Sequence, residues 1–305
     1  MAQADTLRRF LFERYPFRGQ LVHLGPAWAA MMEHHDYPPQ VRDSLGEAVV
    51  AAALLSSTLK YDGLLSLQLR GEGPMHLMLV ECTDGLGMRA VARFRDVPDS
   101  RDLRVLSGNG TLTVTVESGN AANRYQGIVP LAGASMSDCL RAYFEHSEQL
   151  PTRLWLRADA DSASGLLLQR LPVTARPQGV TESGAGGVTD EEIEDAWRRV
   201  QLVADTVTAD ELARLDDREL LRRLFAEDDV RMFQSAPVFF RCRCSRERVG
   251  TMLRALGREE VDSVLEEFGQ VEVRCEFCSR AYRFDAVDAT ALFAAGADAH
   301  RGGVH

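Results

Sequence analysis

The feature that most constrains this 305-residue chain lies near its end, where Cys242-Arg-Cys244 and Cys275-Glu-Phe-Cys278 form two close cysteine pairs separated by thirty residues. Paired cysteines at such spacings are the pattern of a four-ligand zinc site, because each pair delivers two thiolates to one metal. In the second pair, a spacing of three suits a tight turn. The first pair follows the strand-like Val238-Phe-Phe-Arg241, and positions i and i+2 of an extended chain project from one face. Between the pairs, residues 246–256 and 259–268 are helical in pattern, with Gly257 and Gly269 as stops. A unit of about 60 residues is too small to stand securely on its core alone, and a metal would staple it.

The compartment bears on what such thiols do. The N-terminus carries Asp5 early and no apolar stretch of signal length, and no apolar run approaches the length of a membrane span, so a cytoplasmic location is expected. Cytosolic thiols stay reduced, which favours metal or redox chemistry over a permanent disulfide framework for the six cysteines. A net charge of -10 favours solubility and disfavours a large nucleic-acid footprint.

Upstream, the chain predicts a mixed α+β domain over residues 1–175. Apolar positions from Pro39 to Lys60 recur at helical spacing, and a second helix is expected from Ser137 to Gln149. Period-two patterns over 64–70, 75–82, 88–94 and 111–117, with further strands over 151–158 and 165–171, predict a mostly antiparallel sheet. Residues 176–232 are expected to be a flexible and helical linker, its flexible start lying in the Gly- and Pro-rich stretch from Pro172 to Gly187. Thr189-Asp-Glu-Glu192 and Thr208-Ala-Asp-Glu211 are capping boxes opening short acidic helices, whose few apolar residues need a docking partner. A zinc-binding domain at 233–290 and a tail at 291–305 complete the organisation.

The cysteine pairs also allow redox chemistry. Two residues of extended chain span roughly 6.6 Å, near the upper end of what a disulfide accepts, so a bond between Cys242 and Cys244 would be strained and labile. Oxidation would remove thiolates that contribute a metal-binding free energy of order 10 to 16 kcal/mol in small zinc domains. The small domain should then unfold and the acidic helices should undock. Apolar surface uncovered in that way binds other exposed apolar surface, such as unfolding proteins.

Beyond the pairs themselves, the residues Cys242-Arg-Cys-Ser-Arg-Glu-Arg248, Glu260-Val-Asp-Ser263, His35-Asp-Tyr-Pro38, Gly108-Asn-Gly110, Arg124-Tyr-Gln-Gly127 and Ser147-Glu-Gln-Leu-Pro-Thr-Arg153 stand out. With them the chain resembles, over nearly its whole length, the bacterial redox-regulated heat-shock chaperones of 33 kDa. The resemblance implies an inactive reduced form holding one Zn2+ on Cys242, Cys244, Cys275 and Cys278. It implies an active form with disulfides pairing Cys242 with Cys244 and Cys275 with Cys278. Dimerisation on activation, binding of unfolding clients under heat and oxidative stress, and the absence of ATP hydrolysis or other enzymatic activity are implied as well.

Other candidates carry less. Cys82 and Cys139 fall outside any spaced pair and are expected to be buried, inert thiols. His34-His35-Asp36 lacks the partners of a metal or acid-base site, the glycines of Ser183 to Gly187 lack a P-loop lysine, and His300 and His305 belong to the tail. A zinc ribbon binding nucleic acid is the main alternative. From Val238 to Asp285, however, nine arginines face nine acidic residues, leaving no basic surface. A thiol-disulfide oxidoreductase would need Cys275 at a helix start, whereas residues 279–284 read as a strand.

Overall fold

The computed structural model describes residues 5–59, 61–118, 124–172 and 188–299. The chain divides into two compact units, with the boundary between Arg241 and Cys242.

The first unit is organised around α2 (Pro39–Thr58), which follows β1 (Thr6–Phe12), β2 (Phe17–Leu24) and α1 (Pro26–Met32). Fourteen of the twenty α2 residues are buried, among them Val41, Leu45, Val49 and Leu54. A helix apolar on nearly every side belongs inside a core rather than on a surface. The chain continues through β3 (Gly63–Arg70), β4 (Met75–Thr83), β5 (Gly87–Phe94), α3 (Leu103–Ser107), β6 (Thr111–Ser118) and β7 (Arg124–Val129). Then come α4 (Met136–Tyr143), a π-type turn (Phe144–Glu148), β8 (Thr152–Ala158) and β9 (Ala163–Arg170).

The single sheet expected from the sequence is two sheets. One runs in the order β10-β1-β2-β9-β8, where β10 is Val230–Met232 and β11 (Ala236–Pro237) also pairs with β1. The other runs β12-β5-β4-β3-β6-β7, all antiparallel except β12 (Phe239–Phe240), which lies parallel to β5. The predicted helix from Ser137 to Gln149 is likewise divided, because the turn after Tyr143 widens and ends at Gln149 with a left-handed φ of +53°.

The acidic helices α5 (Asp190–Ala204), α6 (Ala209–Arg214) and α7 (Asp217–Leu224) open on capping boxes at Thr189, Thr208 and Asp216. Their docking partner is the first sheet. Leu167 on β9 faces the α2 core, while Leu166 and Leu168 face the opposite way and pack with Phe10, Phe12, Phe17, Trp197, Val200, Leu220 and Leu224. Gly19 makes room for this layer, since a Cβ there would meet the Phe10 ring at 2.1 Å. Each large side chain buried in it contributes roughly 1.5 to 3 kcal/mol. A buried polar cluster adds direction. Asp217, in the first turn of α7, pairs with Arg8 and lies 3.1 Å from His23 Nε2, while Arg8 donates to the Phe233 carbonyl at 2.9 Å.

Residues 188–232 of the stretch set apart from the sequence as a linker, and residues 233–241 of the stretch assigned to the zinc domain, therefore belong with the first unit. The physical reason is long-range. The surface that accepts these helices and strands is built from β1, β2, β5 and β9. The flexible stretch expected near Pro172 to Gly187 lies, from residue 173, outside the described residues.

The second unit contains α8 (Arg246–Leu256), α9 (Arg258–Phe268), β13 (Val271–Arg274), β14 (Ala281–Phe284) and α10 (Ala286–Ala299). Its small core holds Leu253, Val261, Val271, Tyr282, Phe284 and Ala289. Leu292 and Phe293 pack on it, so the helix extends into the stretch expected to be a tail. The terminal residues 300–305, with His300 and His305, lie outside the described residues.

Candidate metal centre

Two local structures present the four cysteines. The β13–β14 hairpin pairs Arg274 with Ala281 and carries Cys275 and Cys278 in its turn. That turn closes by two backbone bonds, Ser279 N donating to Cys275 O at 2.8 Å and Cys275 N donating to Arg280 O at 3.0 Å, with Ser279 in the left-handed region. On the other side, Cys242-Arg-Cys244 leads into α8. Ser245 caps that helix by accepting from Arg248 N, and the Arg248 guanidinium donates back to the Arg243 carbonyl at 2.7 Å, fixing the segment between the two thiols. Arg246 stacks over Phe284, 4.2 Å from the ring centroid, and pairs with Asp288 at 2.7 Å, tying α8 to β14 and α10.

The four sulfurs lie within 4.8 Å of one another, with Cys242 Sγ 3.6 Å from Cys275 Sγ and Cys244 Sγ 3.5 Å from Cys278 Sγ. A tetrahedral ion with Zn–S bonds near 2.3 Å holds its sulfurs about 3.8 Å apart. The donor set and the spacing therefore fit one thiolate-preferring tetrahedral ion such as Zn2+. No other group of three or more His, Cys, Asp or Glu side chains among the described residues is placed to hold a metal.

The electrostatics distinguish the thiols. Burial opposes ionisation of Cys242, but hydrogen bonds from the Cys244 backbone and from the neighbouring thiols outweigh it and bring its pKa down to about 7. Burial pushes Cys275 and Cys278 up. Cys242 is thus held in a setting that favours its thiolate more than the settings of Cys275 and Cys278 favour theirs. Tyr282 Oη donates to Cys244 Sγ at 3.0 Å, and that bond, followed by burial, raises the phenol's own pKa and keeps it a donor. Sequence reasoning missed this residue. The signal was the alternation of β14, which turns Tyr282 and Phe284 to the same side.

The remaining candidates behave differently. Cys82 and Cys139 are fully buried in the first unit, and burial raises both thiols, Cys82 to about 11. His34 is exposed beside Glu33, and His35 stacks on Tyr37 with centroids 5.0 Å apart. Neither histidine belongs to a metal-holding group. The glycines of Ser183 to Gly187 lie outside the described residues.

Comparison with known proteins agrees with this geometry. A family profile described as "Hsp33 protein" matches residues 5–285. Proteins named 33 kDa chaperonin from Nitrosococcus oceani and Methylobacillus flagellatus are 46% and 42% identical, each over 96% of this chain and 96% of their own length. One from Azotobacter vinelandii is 44% identical over 97% of both. A crystal structure of a 33 kDa chaperonin, a heat shock protein 33 homologue from Thermotoga maritima, has the same fold with a TM-score of 0.79 at 20% identity, covering 96% of this chain and 99% of that one. A profile that spans both units, and relatives matched almost end to end, place the chain in the Hsp33 family, the bacterial 33 kDa redox-regulated chaperones, which are holdases and not enzymes.

Proposed function

We propose that the protein is an ATP-independent holdase that is inactive while Cys242, Cys244, Cys275 and Cys278 hold one Zn2+, and that oxidation of these thiols turns it on. The observation that carries this reading is a four-thiol cluster in a unit whose buried core numbers six side chains. The metal would supply cross-linking between the β13–β14 turn and the segment before α8. With hydrogen peroxide as oxidant, two thiols give up two electrons and two protons, an S–S bond forms, and the peroxide O–O bond breaks to yield two waters. A sulfur in a disulfide is no longer a thiolate ligand, so the unit loses its staple. The pairing we favour joins Cys242 with Cys244 and Cys275 with Cys278.

The consequence passes along the chain. Arg241 N donates to Met88 O at 2.8 Å, and the next residue is Cys242. Loosening from that point would strip β12, β11 and β10 from their sheets and release α7, α6 and α5 from the aromatic layer of Phe10, Phe12, Phe17 and Trp197. The uncovered apolar face would bind unfolding proteins, and two such faces would support a homodimer in the oxidised form. Members of the family are typically cytoplasmic bacterial proteins. In this chain no helix among the described residues is long and apolar enough to cross a membrane.

The test follows metal release with a chromogenic chelator during peroxide treatment at mild heat, alongside light scattering of a thermally unfolding client. Metal release should coincide with protection from aggregation, and a thiol reductant should reverse both. Retained metal, or release without protection, would reduce the centre to a structural staple.

A further inference from the structure

Two motifs that the metal centre leaves unused, Arg124-Tyr-Gln-Gly127 and the Ser147-Glu-Gln149 stretch, meet at one place in the first unit. Among the described residues, β7 is the outermost strand of its sheet and pairs with β6 alone. In that register Val116 opposes Tyr125 and Val114 opposes Gly127, so these four positions share one face. Gly127 lies directly under Tyr143, where an added Cβ would sit 3.0 Å from the ring. The π-type turn then brings Glu148 back beside the same ring.

A hydrogen-bonded row results. Tyr143 Oη donates to Glu148 Oε1 at 3.2 Å, and Tyr125 Oη lies 3.0 Å from Tyr143 Oη. Because Tyr143 spends its only hydrogen on the carboxylate, Tyr125 is the donor in the second bond. Burial, and then the bonds to Tyr125 and Glu148, push the Tyr143 phenol up, so it remains protonated. Glu148 is left as the terminal acceptor of the row. Beside it opens a cavity of about 250 Å3 whose floor is Leu55, Leu59, Val114, Val116 and Phe144. Among the described residues lining this cavity, Glu148 alone carries charge. A π-turn closed by a left-handed glutamine is the kind of locally strained backbone that persists where a site needs it.

We propose that this cavity recognises extended segments of unfolding proteins, which add as a strand to the free edge of β7 and seat one lysine or arginine in the cavity. The chemistry selects that occupant. An edge strand offers backbone donors and acceptors to an extended chain. A long basic side chain matches an apolar floor with a single carboxylate at its rim, laying its methylenes on the floor and its head on Glu148. This inference rests on the chaperone reading and deepens it. The site lies on the second sheet, whereas α5, α6 and α7 pack on the first. It grips weakly alone and adds avidity once the aromatic layer is uncovered.

The test uses the full-length reduced chain and fluorescence anisotropy. The probes are a short fluorescein-labelled peptide of alternating valine and threonine around one central arginine, and its twin with norleucine in place of arginine. The arginine peptide should bind about tenfold more tightly, as one charge-assisted bond implies. Glu148→Gln should erase that difference while unfolding as cooperatively as the unchanged chain. N-methylation of alternate peptide amides should abolish binding in one of the two registers and spare it in the other. Equal binding of the two peptides to the unchanged chain overturns the proposal without recourse to any variant, as does binding indifferent to N-methylation. Aggregation protection by the oxidised chain is measured in parallel. Protection without Glu148-dependent peptide binding overturns this site and leaves the chaperone reading standing, whereas peptide binding without protection overturns the chaperone reading and with it the assignment of clients to this site.

Discussion

The two units solve the same problem with different means. In the first, α2 is wrapped by two sheets and a further helical layer covers the outer face of one of them, so extensive apolar burial offsets the entropy of ordering the chain. In the second, six buried side chains and a two-stranded hairpin make a far smaller core, and four thiols gathered within 4.8 Å form a cluster able to hold a metal as a staple. Burial cannot be switched off by a small oxidant, but thiolate ligation can. The difference teaches that a chemical signal is best received by the part of a protein whose stability is chemical.

Removing a ligand should break this comparison most sharply. Cys275→Ser should lose zinc by elemental analysis and, with it, free energy of order 10 to 16 kcal/mol. Amides of α8, α9 and the β13–β14 hairpin should then exchange freely while those of α2 stay protected. Full zinc content in the variant would contradict the assignment. The converse change is Trp28→Ala, which opens a cavity beside α2 and removes the indole bond to the Asp159 carbonyl. A loss of about 3 to 5 kcal/mol in the first unit is expected by denaturant titration, with the metal content untouched.

A smaller effect falls on the helical layer over the first sheet. Asp217→Asn should weaken the docking of α7 by about 1 to 3 kcal/mol, read as faster exchange of α5 to α7 amides. Burial disfavours the charged Asp217, but the His23 and Arg8 interactions outweigh it and hold its pKa below the ordinary 3.8. A carboxyl held lower in the folded than in the unfolded chain contributes stability above the unfolded value. That contribution is lost as pH falls from near 3.8 through the folded value. Acid should therefore loosen α7 in that window in the unchanged chain, and the asparagine variant should lack this component. The smallest effect is expected for Tyr282→Phe, which removes the hydroxyl donated to Cys244 and should speed metal loss to a chelator roughly tenfold while the fold persists.

Much of this was legible in the sequence where the signal is local. The cysteine spacing picked out the four thiols that cluster, Gly257 and Gly269 bounded α8 and α9, and capping boxes at Thr189 and Thr208 opened α5 and α6. Signals that depend on distant partners were silent. Strand β2 is buried along almost its whole length, with α2 on one face and the acidic helices on the other, so it shows no alternation to read. Strands β11 and β12 have two residues each and exist only because β1 and β5 accept them. The close approach of Cys242 to Cys275 and of Cys244 to Cys278 is a tertiary fact that spacing does not encode.

The placement of β10 and β11 on β1 has a consequence for biosynthesis. Phe10 finds its strand partner in Met232, and Leu7 finds one in Ala236, near the far end of the chain. At ordinary elongation rates, those partners leave the ribosome on the order of ten seconds or more after β1 does. Through that interval the nascent chain carries an unpaired strand edge flanked by phenylalanines, a state prone to aggregation. A member of a chaperone family thus exposes, during its own synthesis, the kind of edge that chaperones shelter, and slowing translation downstream of residue 170 should lower its soluble yield.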